Sequence, residues 1–309
     1  MSLIIEVKDL SKKFKNVFAV EELSFTVNQG DIYGFLGQNG AGKSTTIRML
    51  LTLIKPTGGE INLFGKKLST HRSEILRQVG AVIEKPDMYK YLSAYDNLSI
   101  FAKMSGIKVT RQLLMQQLQL VGLQDRAMDT VKTFSQGMKQ RLGIAVALVH
   151  DPALIILDEP TNGLDPQGIA DMRNLILQLS RELGKTVLIS SHLLSEIELM
   201  ATRMIIINKG KKMVEGKVSE LLDPAHTLID VETLDDAAAR YLLQHSEWAP
   251  YLQNNILLQL MMDKEKVPQL IKFLADMDIK MLSVNSSHSL ENYFLSLTTQ
   301  PGHVEFASN

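Results

Sequence analysis

Gly37-Gln38-Asn39-Gly40-Ala41-Gly42-Lys43-Ser44 spaces its glycines, lysine and hydroxyl as Gly-x4-Gly-Lys-[Ser/Thr]. Glycines at these positions let backbone N–H groups approach phosphate oxygens, and a helix starting at the end of the loop adds a partial positive charge. In that geometry Lys43 reaches the β- and γ-phosphates of a nucleotide and Ser44 binds Mg²⁺. A second set of groups lies far along the chain. Leu154 to Leu157 supplies four apolar positions, so Asp158 and Glu159 emerge at the carboxyl end of a buried strand, where open α/β sheets bind ligands. An Asp there holds Mg²⁺ directly or through water, and a Glu beside it orients or deprotonates an attacking water. Alone, such an acid pair reads as a solvated turn; together with the loop it predicts hydrolysis of a nucleoside triphosphate.

The elements that must position these groups are legible in outline. Alternation of apolar and polar residues predicts strands over residues 4–9 and 23–27, and Asn28-Gln29-Gly30-Asp31 is a turn. Ile32 to Leu36 is a short buried strand that runs into the loop at Gly37, and Ser44 to Leu53 carries apolar residues at helical spacing. Strand, loop and helix is the context the loop requires. Pro56-Thr57-Gly58-Gly59 ends the helical region, and Glu60 to Phe64 with Gly65 reads as a hairpin strand. Residues from about Tyr89 to Val149 are mainly helical, and Ser135 lies on a loop within them. Strand returns at Leu154, a helix spans Gly168 to Leu183, and Thr186 to Ser190 is a further buried strand that delivers His192. This alternation predicts a parallel sheet packed by helices.

Past Gly216 the pattern changes. Leu228 to Val231, Ile256 to Met261 and Ile279 to Val284 read as strands, with helices at Asp235 to Gln244 and Val267 to Met277. The expected organisation is an α/β domain over residues 1–217, with a helical subdomain over about 88–150, followed by a small α+β domain over 218–309. Trp248, Met261 and Met262 read as core of that second domain.

Composition narrows the setting. At 45% apolar and 22% charged residues, the 309-residue chain has enough apolar side chains for packed cores. A formal charge of -1 supplies no broad footprint for nucleic acid, so no nucleic-acid partner is expected. With no cysteine there are neither disulfides nor thiolate metal sites, which fits a reducing cytoplasm. Charge interrupts the apolar run at Glu6, and no signal peptide is expected. No apolar run approaches the roughly 18 to 20 residues needed to cross a bilayer, so any action at a membrane requires another chain to supply the span.

Phe134-Ser135-Gln136-Gly137-Met138 stands ahead of the strand that ends in Asp158-Glu159, Gly163-Leu164-Asp165 follows it, and His192 ends the next strand. With the loop, five segments stand in an order that resembles the ATP-binding subunit of an ABC transporter, a P-loop NTPase fold with a helical subdomain. The resemblance covers about Ile4 to Gly216. It implies an ATP hydrolase that uses ATP and Mg²⁺, works with integral membrane permease subunits, and lies peripherally on the cytoplasmic face of the membrane. It also implies that two such domains dock head to tail, a homodimer being the expected form. ATP on Gly37 to Thr45 of one copy is then covered by Ser135, Gln136, Gly137 and Asp165 of the other. A second helix N-terminus and the Ser135 hydroxyl suit γ-phosphate charge. By the same resemblance His192 bonds the γ-phosphate and positions water, and Phe14 stacks on adenine. Phe18 is close by, and either ring could instead be core.

Two departures sharpen the reading. The family motif is most often Leu-Ser-Gly-Gly-Gln, whereas Gln136 stands at the first glycine and Met138 at the glutamine. Glu84, within Val79-Gly80-Ala81-Val82-Ile83-Glu84-Lys85-Pro86, stands where the family places a glutamine that touches Mg²⁺ or the attacking water and relays nucleotide state. A carboxylate there binds Mg²⁺ but adds repulsion near Asp158, Glu159 and the γ-phosphate. The other reading of Glu84 is a surface acid paired with lysine. Glu84, with residues 31–37 and 137–144, resembles the bacitracin and lantibiotic self-protection exporters of Gram-positive bacteria; Ser289 to Leu295 resembles the tail of drug-export ATPases. Peptide-antibiotic export is the expected function, with another drug or lipid efflux system, or a ribosome- or DNA-associated ATPase, as the alternative. Chromosome-maintenance ATPases split these motifs with a long coiled coil, and ribosome-associated factors usually carry two loops. Here the motifs are close and the loop is single.

Overall fold

Leu3–Phe14 (β1) and Val17–Asn28 (β2) form an antiparallel hairpin that turns Ile5, Val7, Leu10, Leu23, Phe25 and Val27 inward. Strict alternation would send Leu10 outward after Ile5 and Val7. A register shift between Val7 and Leu10, with Asp9 at φ 47°, returns it to the core. The hairpin therefore continues past the alternating residues to a turn at Lys15, also left-handed at φ 51°. The computed structural model describes residues 2–84, 87–221, 227–253 and 257–288.

Ile32–Leu36 (β3) is buried at every position, as a central strand covered on both faces must be. Lys43–Leu50 (α1) follows the glycine-rich loop, and Gly58–Leu63 (β4) with Lys66–Lys67 (β5) makes the expected hairpin. Arg72–Leu76 (α2) leads to Val79–Val82 (β6). The helical segment holds Ala94–Met104 (α3), Arg111–Leu120 (α4) and Gln136–Leu148 (α5), whose N-termini are capped by the hydroxyls of Ser93, Thr110 and Ser135. Leu154–Asp158 (β7), Pro166–Arg181 (α6), Thr186–Ser191 (β8), Leu194–Glu198 (α7), Arg203–Asn208 (β9) and Lys211–Lys217 (β10) complete the first unit.

Two sheets organise this unit. One is antiparallel, in the order β2-β1-β4-β5; the other runs β10-β9-β3-β8-β7-β6 and is parallel except for β10. A core including Leu10, Phe25, Phe35, Ile47, Leu50 and Ile156 joins the two sheets and α1. Register fixes the useful edge: Leu36 pairs with Ser191 and Asp158 with Ser190, so Gly37, Glu159 and His192 leave adjacent strands at the same carboxyl edge.

The chain divides into two compact units, Met1–Lys217 and Val218–Asn309. The second begins with Val218–Leu221 (α8) and contains Thr227–Thr233 (β11), Asp236–Gln244 (α9), Gln259–Met262 (β12), Val267–Asp276 (α10) and Met281–His288 (β13). Its antiparallel sheet has the order β12-β11-β13, and Ile229, Leu243, Trp248, Leu260, Met262, Leu270 and Leu274 form its core. Two strands start later than alternation suggests: β12 at Gln259 and β13 at Met281. Ile256 and Ser289 to Leu295 lie outside the described residues. Among the described residues no helix is long and apolar enough to cross a membrane.

Candidate active site

The glycine-rich loop turns from β3 into α1 through Gly42, which takes φ 109° at the helix N-cap. A Cβ there would stand 2.5 Å from the carbonyl oxygen of Ala19, so both the backbone angle and the space require glycine. Gln38, Asn39, Gly40, Gly42, Lys43, Ser44 and Thr45 line a cleft of about 170 Å³ together with Glu159. Gly37 and Ala41 are buried behind it rather than on its wall. The first-turn N–H groups of a helix have no acceptor within it, which leaves the floor of this cleft electropositive.

Lys43 is only 4% exposed. Its Nζ donates to the carbonyl oxygens of Gly37 at 2.5 Å and Gln38 at 3.2 Å, and lies 3.1 Å from Glu159 Oε1. That last contact is an ion pair without hydrogen-bond alignment, and Oε1 is otherwise buried without a partner. The other Glu159 oxygen lies 2.8 Å from His192 Nδ1. Lys43, Glu159 and His192 therefore form one line of contacts across the ends of α1, β7 and β8.

Asp158 and Glu159 do not leave the strand together. Asp158 remains in β7, 3% exposed, and accepts a 2.6 Å hydrogen bond from Ser190 Oγ. The backbone turns at Glu159, whose φ of 50° carries a strain on the order of 1 kcal/mol. Its N–H donates to the same Ser190 hydroxyl at 2.9 Å, which fixes where the Glu159 side chain enters the cleft.

Ser44, Asp158, Glu159 and Glu84 share a wider cleft of about 410 Å³, which Gln136 and Asn162 also line. Their oxygens suit a hard cation, and Glu159 Oε1, buried beside Lys43, accepts no hydrogen bond. Among the described residues no three carboxylate or imidazole ligands converge, so Mg²⁺ fits here only with nucleotide and water oxygens completing its shell. Glu84 sits at the rim, its side chain 64% exposed and ion-paired with Arg48 of α1. The surface pairing considered for this acid is thus with an arginine five positions after the loop lysine.

Ser135, Gln136, Gly137 and Asp165 meet in a separate cleft of about 390 Å³. Ser135 Oγ accepts from Met138 N at 3.2 Å, and Asp165 Oδ1 accepts from Gly168 N at 2.9 Å, so each caps its own helix. Of these four, Gln136 alone also borders the wider cleft. Phe14 and Phe18 are both solvent-facing, 48% and 41% exposed, with Lys12 and Lys13 over their rings; neither is core. Sequence reasoning passed over Arg48, Thr161, Asn162 and Glu196.

The family model described as ABC transporter matches residues 20–162. The bacitracin transport ATP-binding protein BcrA of Bacillus licheniformis is 44% identical, covering 96% of this chain and 98% of its own. The lantibiotic transport ATP-binding protein SrtF of Streptococcus pyogenes is 41% identical, covering 69% of this chain and 90% of its own. Among solved structures, the dimeric post-hydrolysis state of the ATP-binding cassette MJ0796, bound to ADP and Pi, is similar with a TM-score of 0.63 and 25% identity, covering 70% of this chain and 99% of that one. The α/β phosphate-loop fold expected from the sequence is the fold of that cassette. With a BcrA likeness that runs the length of both proteins, the chain belongs to the ABC transporter family, as one of its ATP-binding, ATP-hydrolysing subunits.

Proposed function

We propose that the chain powers export of a peptide antibiotic of the bacitracin or lantibiotic class through membrane permease subunits supplied by other chains, itself lying peripherally on the cytoplasmic face. The substrate class is supported by the likeness to BcrA and SrtF. The chemistry is carried by one observation: Glu159, which lines the glycine-rich cleft with Lys43, contacts Lys43 through one oxygen and His192 through the other.

Gln38 to Thr45 bind the ATP phosphates through backbone N–H groups, with Gly37 setting the start of the turn, and Lys43 exchanges Glu159 for phosphate oxygens. Ser44 and Asp158 would hold Mg²⁺, with Glu84 as a further oxygen at the rim of the same cleft, and the metal would supply neutralisation of phosphate charge. Released from Lys43, Glu159 takes up the attacking water as general base. His192 stays paired to Glu159 through Nδ1, which directs its other ring nitrogen toward the γ-phosphate. Phe14, half exposed with Lys12 over its ring, is the aromatic side chain for adenine.

Ser135, Gly137 and Asp165 do not border the phosphate clefts of their own chain, which supports a role in covering the nucleotide of a second copy in a homodimer. Residues 1–217 act as the nucleotide-binding domain, about 88–150 within them as the helical subdomain, and 218–309, with their own core, as an accessory domain. Nucleic acid has no part in this reading.

Two experiments test it. Glu159→Gln should trap an ATP-bound dimer, seen as an earlier size-exclusion peak with ATP and Mg²⁺; wild-type hydrolysis by that variant would remove Glu159 from the role of base. Deleting the chain from its host should increase bacitracin or lantibiotic sensitivity, with protection restored by the wild type and not by Lys43→Ala. Unchanged sensitivity would remove the substrate class and leave the ATPase assignment standing.

A further inference from the structure

Glu196 is a carboxylate that the hydrolytic scheme leaves unused, although it is only 8% exposed. A buried carboxylate is costly unless it is well hydrogen-bonded, so its partners carry information. One oxygen, Oε2, accepts from Thr161 Oγ1 at 2.6 Å and from Ser191 Oγ at 2.9 Å. Both donors are buried, Thr161 at 4% and Ser191 at 0% exposure. Thr161 lies two residues after Glu159, and Ser191 directly precedes His192. The Ser191 hydroxyl also accepts from Leu193 N at 3.0 Å, so it grips the backbone on the far side of the histidine.

The strand ends themselves are tied by Ser190, which donates to Asp158 and accepts from the N–H of Glu159. Glu196 ties the segments beyond those ends. It touches neither Glu159 nor His192 in any hydrogen bond or ion pair, yet each of the two segments that carry them ends on its Oε2. We infer that Glu196 is a positioning residue for ATP hydrolysis: its single carboxylate oxygen sets the separation of the two segments, so that Glu159 and His192 are assembled at 2.8 Å before nucleotide arrives. Charge-assisted hydrogen bonds from two hydroxyls hold that separation more tightly than apolar packing would. The inference rests on the roles proposed above for Glu159 and His192.

The test compares full-length Glu196→Ala, Glu196→Gln and Thr161→Val with Glu159→Gln and His192→Ala, by single-turnover hydrolysis with enzyme in excess and by amide hydrogen exchange of the nucleotide-free chain. Misplacement of a catalytic group by a fraction of an ångström to an ångström predicts a fall in the hydrolytic rate of about ten- to one hundredfold for Glu196→Ala. ATP affinity should stay within about twofold, since the phosphate loop is untouched. Glu196→Gln keeps an acceptor oxygen and should recover part of the rate. In a His192→Ala background Glu196→Ala should cost less than in the wild type, because one member of the pair whose separation it sets is gone. Exchange should accelerate at residues 160–163 and 191–193 and not in the phosphate loop. Glu196→Ala that lowers thermal stability but hydrolyses at the wild-type rate overturns the inference, as does an equal loss in the His192→Ala background. If Glu196→Ala does not fold, Glu196→Gln and Thr161→Val carry the same comparisons. Wild-type rates in both Glu159→Gln and His192→Ala would instead overturn the active-site reading, and the exchange pattern would still decide whether Glu196 joins the two segments.

Discussion

Gln136 and Asn162 are joined within one chain: the side-chain amide Nε2 of Gln136 donates to the carbonyl oxygen of Asn162 at 2.9 Å. The contact links the start of α5 to the turn that follows Glu159. The next residue, Gly163, has φ 73°, and a Cβ there would stand 2.7 Å from the same amide nitrogen. Gln136, standing where the family most often has glycine, therefore acts first on its own chain by holding the turn between Glu159 and Asp165. Any approach to a second copy's nucleotide is made by a side chain already engaged in this bond.

Replacing Gln136 by glycine should loosen that turn without opening the phosphate loop. Loss of one neutral hydrogen bond is worth about 1 kcal/mol, so hydrolysis should fall roughly fivefold or less. ATP affinity, followed with a fluorescent nucleotide, should be unchanged. A selective loss of ATP affinity would instead make Gln136 a direct nucleotide contact. Gly163→Ala meets both the left-handed backbone and the amide, and should lower the melting temperature as well as the rate.

Glu84 is bound to Arg48, which belongs to the helix that starts at Lys43. A change at the cleft rim is thereby connected to the helix under the phosphates. Glu84 is largely and Arg48 partly open to solvent, so breaking the pair should alter stability by no more than about 1 kcal/mol. Glu84→Gln should retain ATP hydrolysis within about threefold while reducing antibiotic protection, because it keeps an oxygen for the metal's water but loses the charge that holds Arg48. Arg48→Ala should reproduce the loss of protection. Full protection in both variants would leave the pair with no part in coupling.

The phosphate loop and the acid pair were readable because each carries its own spacing, and strand register then brings them to one edge without further instruction. The first hairpin is longer than its alternation predicts because the shift at Asp9 reverses the pattern that marks a strand; only pairing with β2 and β4 reveals the continuity. Glu196 and Thr161 were invisible for another reason. A buried polar bracket is defined by which distant hydroxyls face it, and no periodicity records that. Ser135 was legible as a motif, while the cis engagement of its neighbour Gln136 depends on where Asn162 passes in space.

Tyr33 gives the unit a defined response to alkaline pH. It is buried in β3, and its hydroxyl donates to Glu215 Oε1 at 2.9 Å, while Arg203 Nη1 donates to the Thr26 carbonyl oxygen at 3.0 Å and Arg203 Nη2 lies 3.5 Å from Glu215. Burial pushes the Tyr33 hydroxyl well above its ordinary value of 10.0, and the Glu215 carboxylate adds to the shift. As pH rises past that ordinary value, the unfolded chain releases the proton and the folded chain retains it. The unfolded state then binds fewer protons, so unfolding free energy falls with increasing pH. Tyr33→Phe removes the titrating group together with a hydrogen bond to a charged acceptor. It should destabilise the protein by about 1–3 kcal/mol at neutral pH, yet show the shallower decline above about pH 10. Urea unfolding of both forms across that range separates this from lysine titration, which the two share: the stability gap should narrow as pH rises. A gap constant to high pH would mean that the folded chain ionises Tyr33 as readily as the unfolded one.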